Sequence, residues 1–405
     1  MADGAALADV KVLDLMWAIA GPAATRVLAD YGATVVRVET GKRPEICRTV
    51  APWRELPPGP ESAVLFHNMN VGKLMMTLDL GNPAAREIVL DLVRWADVVT
   101  EAYSPGTMRA LGLDYAALRA VKPDVIMLST CLMGQTGPLA TYAGFGNLAA
   151  SITGFGNLCG WPDRPPAGPF GAYTDYLAPR FSLAALLAAL DHRRRTGEGQ
   201  HLDLAQGEAA IHFLGPAMLD YTVNGRVQTP AGNDDAVAAP HGVYPTAGDD
   251  RWIAIAVRSE RELAGLAAAI GRPELADDRR FANREDRVAH RRELDAIVSA
   301  WTSEHDGAEA EARLQAAGVP AGVVQRSRDL LADPQLRHRR FFRPLTHTEM
   351  GEVPYEGHQF RIRDYDNGPL APAPCLGEHS IQVLQEVLGF SDEDLARVAA
   401  SGALT

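Results

Sequence analysis

A single carboxylate, Asp175, stands just ahead of a long apolar stretch in G-A-Y-T-D-Y-L-A-P-R-F-S-L at 171–183. Residues 181–190 are almost wholly apolar, the pattern of a buried helix, and the basic run His192 to Arg195 followed by Gly197 and Gly199 closes it. Thr174 or Asp175 then falls at the helix N-terminus, where backbone N–H groups favour an anion. An ionised carboxylate held in such a place is a candidate nucleophile. From this segment alone a helix cap is the plainer reading, because Asp is among the preferred capping residues.

The surrounding elements read as α/β. Residues 11–15, 34–38, 75–80, 97–102 and 124–130 are short apolar runs with helical segments between several of them. Asn82 and Pro83 start a helix, one as cap and the other in the first turn, and Ile88, Leu92, Trp95 and Ala96 form its core stripe. Residues 224–240 are polar and turn-rich and read as a linker. After it, 241–257 reads as a hairpin turning at Gly248, Asp249 and Asp250. A chain of 405 residues exceeds the usual size of one core. The expected organisation is a large α/β domain over 1–224, a smaller α+β domain over 225–330, and a tail over 331–405 that returns to the large domain with a helix at 379–388.

Composition excludes several classes. The four cysteines, Cys47, Cys131, Cys159 and Cys375, show no CxxC pair and no ligand-like spacing with histidine, so neither a zinc site nor a disulfide framework is implied. The opening M-A-D-G-A-A-L-A-D is acidic and lacks an apolar core, and the longest apolar run is too short to span a bilayer. A reduced, cytoplasmic location without membrane insertion is the expectation. A formal net charge of −12 argues against nucleic acid as the partner. Local cations nevertheless gather near the predicted strand ends, at Arg37, Lys42, Arg43 and Lys73, where open α/β sheets place their ligands.

Asp175, the Leu/Ala-rich helix, His192-Arg193, T-G-E-G-Q at 196–200 and the alternating apolar run after it together resemble the class III CoA-transferases, the CaiB/BaiF family. So do V-L-D-L at 12–15, A-G-P at 20–22, L-A-D-Y-G-A at 28–33, N-V-G-K at 70–73, G-Q-T-G-P at 134–138, A-G-V-P-A-G at 317–322 and L-G-E-H at 376–379, in order along nearly the whole chain. The resemblance implies a Rossmann-like large domain built from N- and C-terminal parts, an interlocked homodimer, and coenzyme A as a substrate with no other cofactor and no metal. It makes Asp175 the nucleophile and places coenzyme A against Lys73, Ala20, Arg37, Tyr103, Arg109 and Met133.

The implied activity moves CoA from an acyl-CoA to a carboxylic acid through an aspartyl mixed anhydride and an aspartyl-CoA thioester. Backbone N–H groups near Gly134–Gly137 or Gly144–Asn147 are candidate oxyanion donors. Departures from the family pattern also matter. Ala102 stands where many relatives have an Asn that contacts CoA, Arg109 lies beside Ala110 where they have Arg, and Ile19 replaces a Gln. A related acyl-CoA racemase or isomerase needs a His where this chain has Phe145, and a third reading is a non-catalytic CoA-binding protein. The acids are expected to be aromatic or dicarboxylic, with Tyr173, Tyr176, Trp161 and Phe170 near the nucleophile and Arg180 as a partner for a second carboxylate.

Overall fold

Six parallel strands form the central sheet in a computed structural model that describes residues 5–54, 59–366 and 368–405. The first four residues of the acidic opening segment lie outside the described residues. The strands are β1 (Lys11–Leu15), β2 (Thr34–Glu39), β3 (Leu74–Thr77), β4 (Val98–Glu101), β5 (Ile126–Cys131) and β6 (His201–Ala205), in the order β3-β2-β1-β4-β5-β6. The five runs expected as strands are β1 to β5, within a few residues at each end. Strands β1, β2, β4 and β5 are buried almost throughout, as interior parallel strands covered on both faces must be. Strand β6, at the edge, alternates between exposed and half-buried before ending on buried Ala205.

Helices cover both faces. On one, the helix Pro83–Trp95 lays Ile88, Leu92 and Val93 against Leu13, Val36 and Val99. Its start is as expected, with Asn82 Oδ1 accepting from Ala84 N at 2.9 Å. On the other face, the helix Tyr173–Thr196 packs Leu186, Ala189 and Leu190 against Val12, Val35 and Leu128 and against Leu28 of the helix Ala20–Asp30. Its far end is held by Arg193, which donates to Asp97 and Asp124 at 2.8 Å each. Gly197 then ends it in the left-handed region at φ 76°.

The chain divides into two compact units. The first comprises residues 1–156, 168–228 and 335–405 and contains the six-stranded sheet. The second comprises 157–167 and 229–334. Within it, β7 (His241–Pro245), β8 (Trp252–Ala256) and β9 (Ala321–Val323) form an antiparallel sheet, and β7 and β8 are the expected hairpin. Ile253 and Ile255 pack there with Leu263, Leu294, Val298 and Leu314 from three helices.

The tail carries an element the sequence pattern conceals. Strands β10 (Phe342–His347) and β11 (Gly351–Glu356) form an antiparallel ribbon in the first unit, with Pro344 opposite Pro354. Proline within each run argues against a strand. In a two-stranded ribbon, however, every strand has an outer edge where an N–H is not needed. Further on, the expected helix at 379–388 is three residues of α-helix, Ser380–Gln382, followed by a π-helical stretch, Val383–Val387. Its start closes the β3 edge of the sheet. His379 N donates to Met75 O at 2.8 Å, and Met75 N and Thr77 N donate to His379 Nδ1 and Ser380 Oγ.

Candidate active site

Strand order reverses between β1 and β4, so the loops leaving these strands diverge and open a crevice at their carboxyl ends. A cavity of about 550 Å³ occupies that place. Trp17, Ala18 and Ala20 reach it from beyond β1, Ala102 to Pro105 from beyond β4, and Thr130 to Leu132 from the end of β5. Residues 140–145, Gln206 and Asp175 complete its wall. A second cavity of about 410 Å³ shares Trp17, Arg43, Ala102, Tyr103 and Ser104 with it and continues along Arg37, Glu39 and Asp79.

Asp175 sits in the first turn of the helix Tyr173–Thr196 and is 4% exposed. Its carboxylate accepts one hydrogen bond, from Gly146 N to Oδ2 at 3.3 Å. Thr174 Oγ1 donates to Gly146 O at 3.1 Å, so two adjacent side chains hold the N–H and C=O of the same residue. The approach is close enough to require glycine at 146. A Cβ there would lie 2.7 Å from Asp175 Cγ. Burial raises the Asp175 pKa to about 6, against the smaller opposing effect of the Gly146 N–H. The carboxylate is therefore desolvated, ionised near neutrality and open to the cavity, which is the state a nucleophile needs.

Other expected residues divide by position. Ala20 and Tyr103 line the Asp175 cavity, and Arg37 and Tyr103 line the second one. Arg37 is 1% exposed and paired with Glu45 at 3.3 Å, yet its Nε and Nη1 have no hydrogen-bond partner. Lys73 is in neither wall. Its Nζ is buried and donates to Asp14 Oδ2 at 2.9 Å, Asn70 Oδ1 at 2.9 Å and Pro22 O at 3.0 Å, so its three N–H bonds brace the start of the helix Ala20–Asp30. Arg109 is exposed, lies 3.5 Å from Asp114, and lines neither cavity. Met133 packs near Gly207, outside both walls.

The expected substrate pocket needs correction. Tyr173 packs edge-on against Phe155, Tyr176, Phe170 and Arg180 are exposed, and none of them lines the Asp175 cavity. The aromatic wall is made instead by Trp17, Tyr103, Tyr142 and Phe145. Among the two candidate N–H sources, the 144–147 segment supplies the donor to Asp175, through Gly146. The 134–137 loop is tied elsewhere, with Gln135 N on Asp203 at 2.9 Å.

Folding brings Glu61, His347 and Cys375 together, a set that sequence spacing does not reveal. It is ill suited to a metal. His347 Nδ1 accepts from the backbone N–H groups of Glu349 and Met350 at 3.0 and 3.1 Å, which places the ring proton on Nε2, the nitrogen facing Cys375. Burial and the neighbouring carboxylates also push the Cys375 thiol up to about 12, so it stays protonated.

A family model described as CoA-transferase family III matches residues 7–380. Succinyl-CoA--D-citramalate CoA-transferase of Chloroflexus aurantiacus is 33% identical over 394 residues, 97% of this chain and 97% of that protein. Succinate--glutarate CoA-transferase of Agrobacterium fabrum is 33% identical over 383 residues, 94% of this chain and 95% of its own length. The crystal structure of a CAIB/BAIF family protein from Brucella suis matches with a TM-score of 0.87 at 32% identity, over 94% of this chain and 99% of that one.

Proposed function

The chain belongs to CoA-transferase family III and is a CoA-transferase, and we propose that Asp175 is the carboxylate through which it moves the coenzyme. The observation that carries this reading is a buried carboxylate with a raised pKa, facing the switch-point cavity with no cation bonded to it. An Asp175 oxygen attacks the thioester carbon, the C–S bond breaks, and CoA thiolate leaves with the electron pair. The thiol's ordinary pKa of about 8.5 makes the thiolate a competent leaving group. It then attacks the aspartyl carbonyl of the mixed anhydride, the donor acid departs as a carboxylate, and CoA remains on Asp175 as a thioester. The acceptor carboxylate runs the two steps in reverse. Gly146 N–H, already directed at Oδ2, stabilises the charge that develops on that oxygen when the aspartyl carbonyl is attacked.

Coenzyme A occupies both cavities, with the thioester beside Asp175 and the anionic end toward Arg37 and Arg43. Arg37 Nε and Nη1, which make no hydrogen bond in the protein, and the shared Tyr103 wall support that placement. Names of the two similar transferases support succinyl-CoA as donor and a dicarboxylic acid as acceptor. A homodimer, interlocked as the resemblance implies, suits the exposed apolar side chains of Met218, Leu219, Tyr221 and Val223 on the helix Gly215–Asn224. No helix among the described residues is long and apolar enough to cross a membrane, and we place the enzyme in the cytoplasm.

The direct test traps the thioester. Enzyme incubated with succinyl-CoA and no acceptor is treated with hydroxylamine, and the expected product is a hydroxamate at Asp175, read by peptide mass. Unmodified aspartates together with kinetics requiring a ternary complex would defeat the covalent route.

A further inference from the structure

Two residues that line the Asp175 cavity each carry a buried polar atom with no hydrogen-bond partner in the protein. One is Oγ1 of Thr130, a residue 1% exposed, and the other is Oε1 of Gln206. Both stand near the carboxyl ends of neighbouring strands, Thr130 opposite Leu204 and Gln206 at the start of the helix that follows β6. Strands β5 and β6 are parallel neighbours with Cys131 opposite Ala205, so Thr130 precedes that pair and Gln206 follows it. Unpaired buried groups are destabilising and uncommon in a well-packed interior. Two beside one cavity mark a seat that a bound polar group completes.

The chemistry of the pair limits what fits. The Thr130 hydroxyl can donate, and the Gln206 amide, turned by half a revolution, presents N–H donors at the position its oxygen now holds. Arg43 is the one Lys or Arg among the described lining residues, and it lies over Trp17 at 5.8 Å, on the stretch shared with the second cavity. At the β5 and β6 ends the polar side chains lining this cavity are therefore uncharged ones.

We propose that Thr130 and Gln206 hold the remote carboxylate of a dicarboxylic acyl group while its other end reacts at Asp175. The inference rests on the dicarboxylate reading above and adds the side chains that select for it. An acyl chain ending in methyl leaves both groups unpaired, which is how a polar seat rejects an apolar analogue.

The test compares kcat/KM for succinyl-CoA with that for butyryl-CoA, equal in chain length and lacking the remote carboxylate. Thr130→Val keeps the shape and removes the hydroxyl, and the succinyl preference is expected to fall about tenfold to a hundredfold. Thr130→Ser should recover most of it, and Gln206→Leu provides a second variant if Thr130→Val does not fold. An unchanged ratio in the folded variants, or equal losses on both thioesters, overturns the proposal. If the unmodified enzyme transfers from no dicarboxylic donor, the substrate reading itself fails. Calorimetric binding of succinate and butyrate then decides the present point: a succinate advantage lost in Thr130→Val supports it, and equal binding by the unmodified protein overturns it.

Discussion

Two aspartates of the first unit are buried to nearly the same degree and have opposite fates. Asp14, at the end of β1, accepts from Lys73 at 2.9 Å and from Thr25 at 2.7 Å and has Arg37 at 3.8 Å. Burial opposes its ionisation, but Lys73 and Arg37 outweigh that opposition and hold its carboxyl below the usual range. Asp175 has one weak backbone donor and no cation, and burial lifts it to about 6. Saturated with partners, the first is a structural joint. The second, left short of them, stays available to react.

The largest effect belongs to Asp175→Asn, which keeps size and helix position while removing the nucleophile. Transfer should fall to about a thousandth or less of the unmodified rate, as expected when a covalent route is lost. Retention of more than a few per cent of turnover by the folded variant would remove Asp175 from its role.

Stability should order the two sites the other way. Lys73→Met strips the hydrogen-bonded cation from a buried carboxylate and is expected to cost about 3–5 kcal/mol in urea unfolding. Asp175→Asn should instead stabilise at neutral pH. Because the folded pKa of Asp175 is raised, folding favours its protonated form. That contribution is complete below about pH 4 and is lost as pH rises through about 6. A variant with no charge to desolvate escapes the loss, a gain of up to roughly 3 kcal/mol at neutral pH that vanishes in acid. Equal destabilisation by the two substitutions would erase the contrast.

A smaller effect is the pH profile of the first half-reaction, measured with acyl-CoA and no acceptor. Ionised Asp175 is the reactive form, so the rate should climb about tenfold per unit below the pKa and level off above about 6. A midpoint near 4 would mean that burial does not govern this carboxyl.

The smallest expected signal is none at all. Phe145 lines the cavity where a racemase needs a second acid/base group, and no histidine lines it among the described residues. A chiral 2-methylacyl-CoA in deuterated water should therefore exchange its α-proton no faster than without enzyme. Enzyme-dependent deuterium uptake would reassign Asp175 as a base.

The role proposed for Asp175 came from the family resemblance, whereas the helix that carries it was legible in the sequence because its signal is local, an apolar run with a basic, glycine-terminated end. The parallel strands were legible for the same reason. Lys73 was not, since its partner Asp14 lies 59 residues away and only the fold shows that its donors are used. The pocket aromatics were misread on a similar ground, for nearness to Asp175 in sequence placed Tyr173 and Phe170 beside it, whereas loops after β1 and β4 bring Trp17 and Tyr103 there. Thr130 and Gln206 had no sequence signal, because lacking a partner is a property of tertiary structure.

The closure of the β3 edge has a consequence for synthesis. Met75 exchanges two hydrogen bonds with His379, 304 residues later in the chain. At a ribosomal rate of roughly 5–20 residues per second, that interval is on the order of 15–60 s. During it a nascent chain carries an uncapped strand edge, the kind of surface that pairs with other chains. Slow translation after β3 should lengthen this exposure, and yield in the cell should depend on holding chaperones more than the finished enzyme's stability indicates.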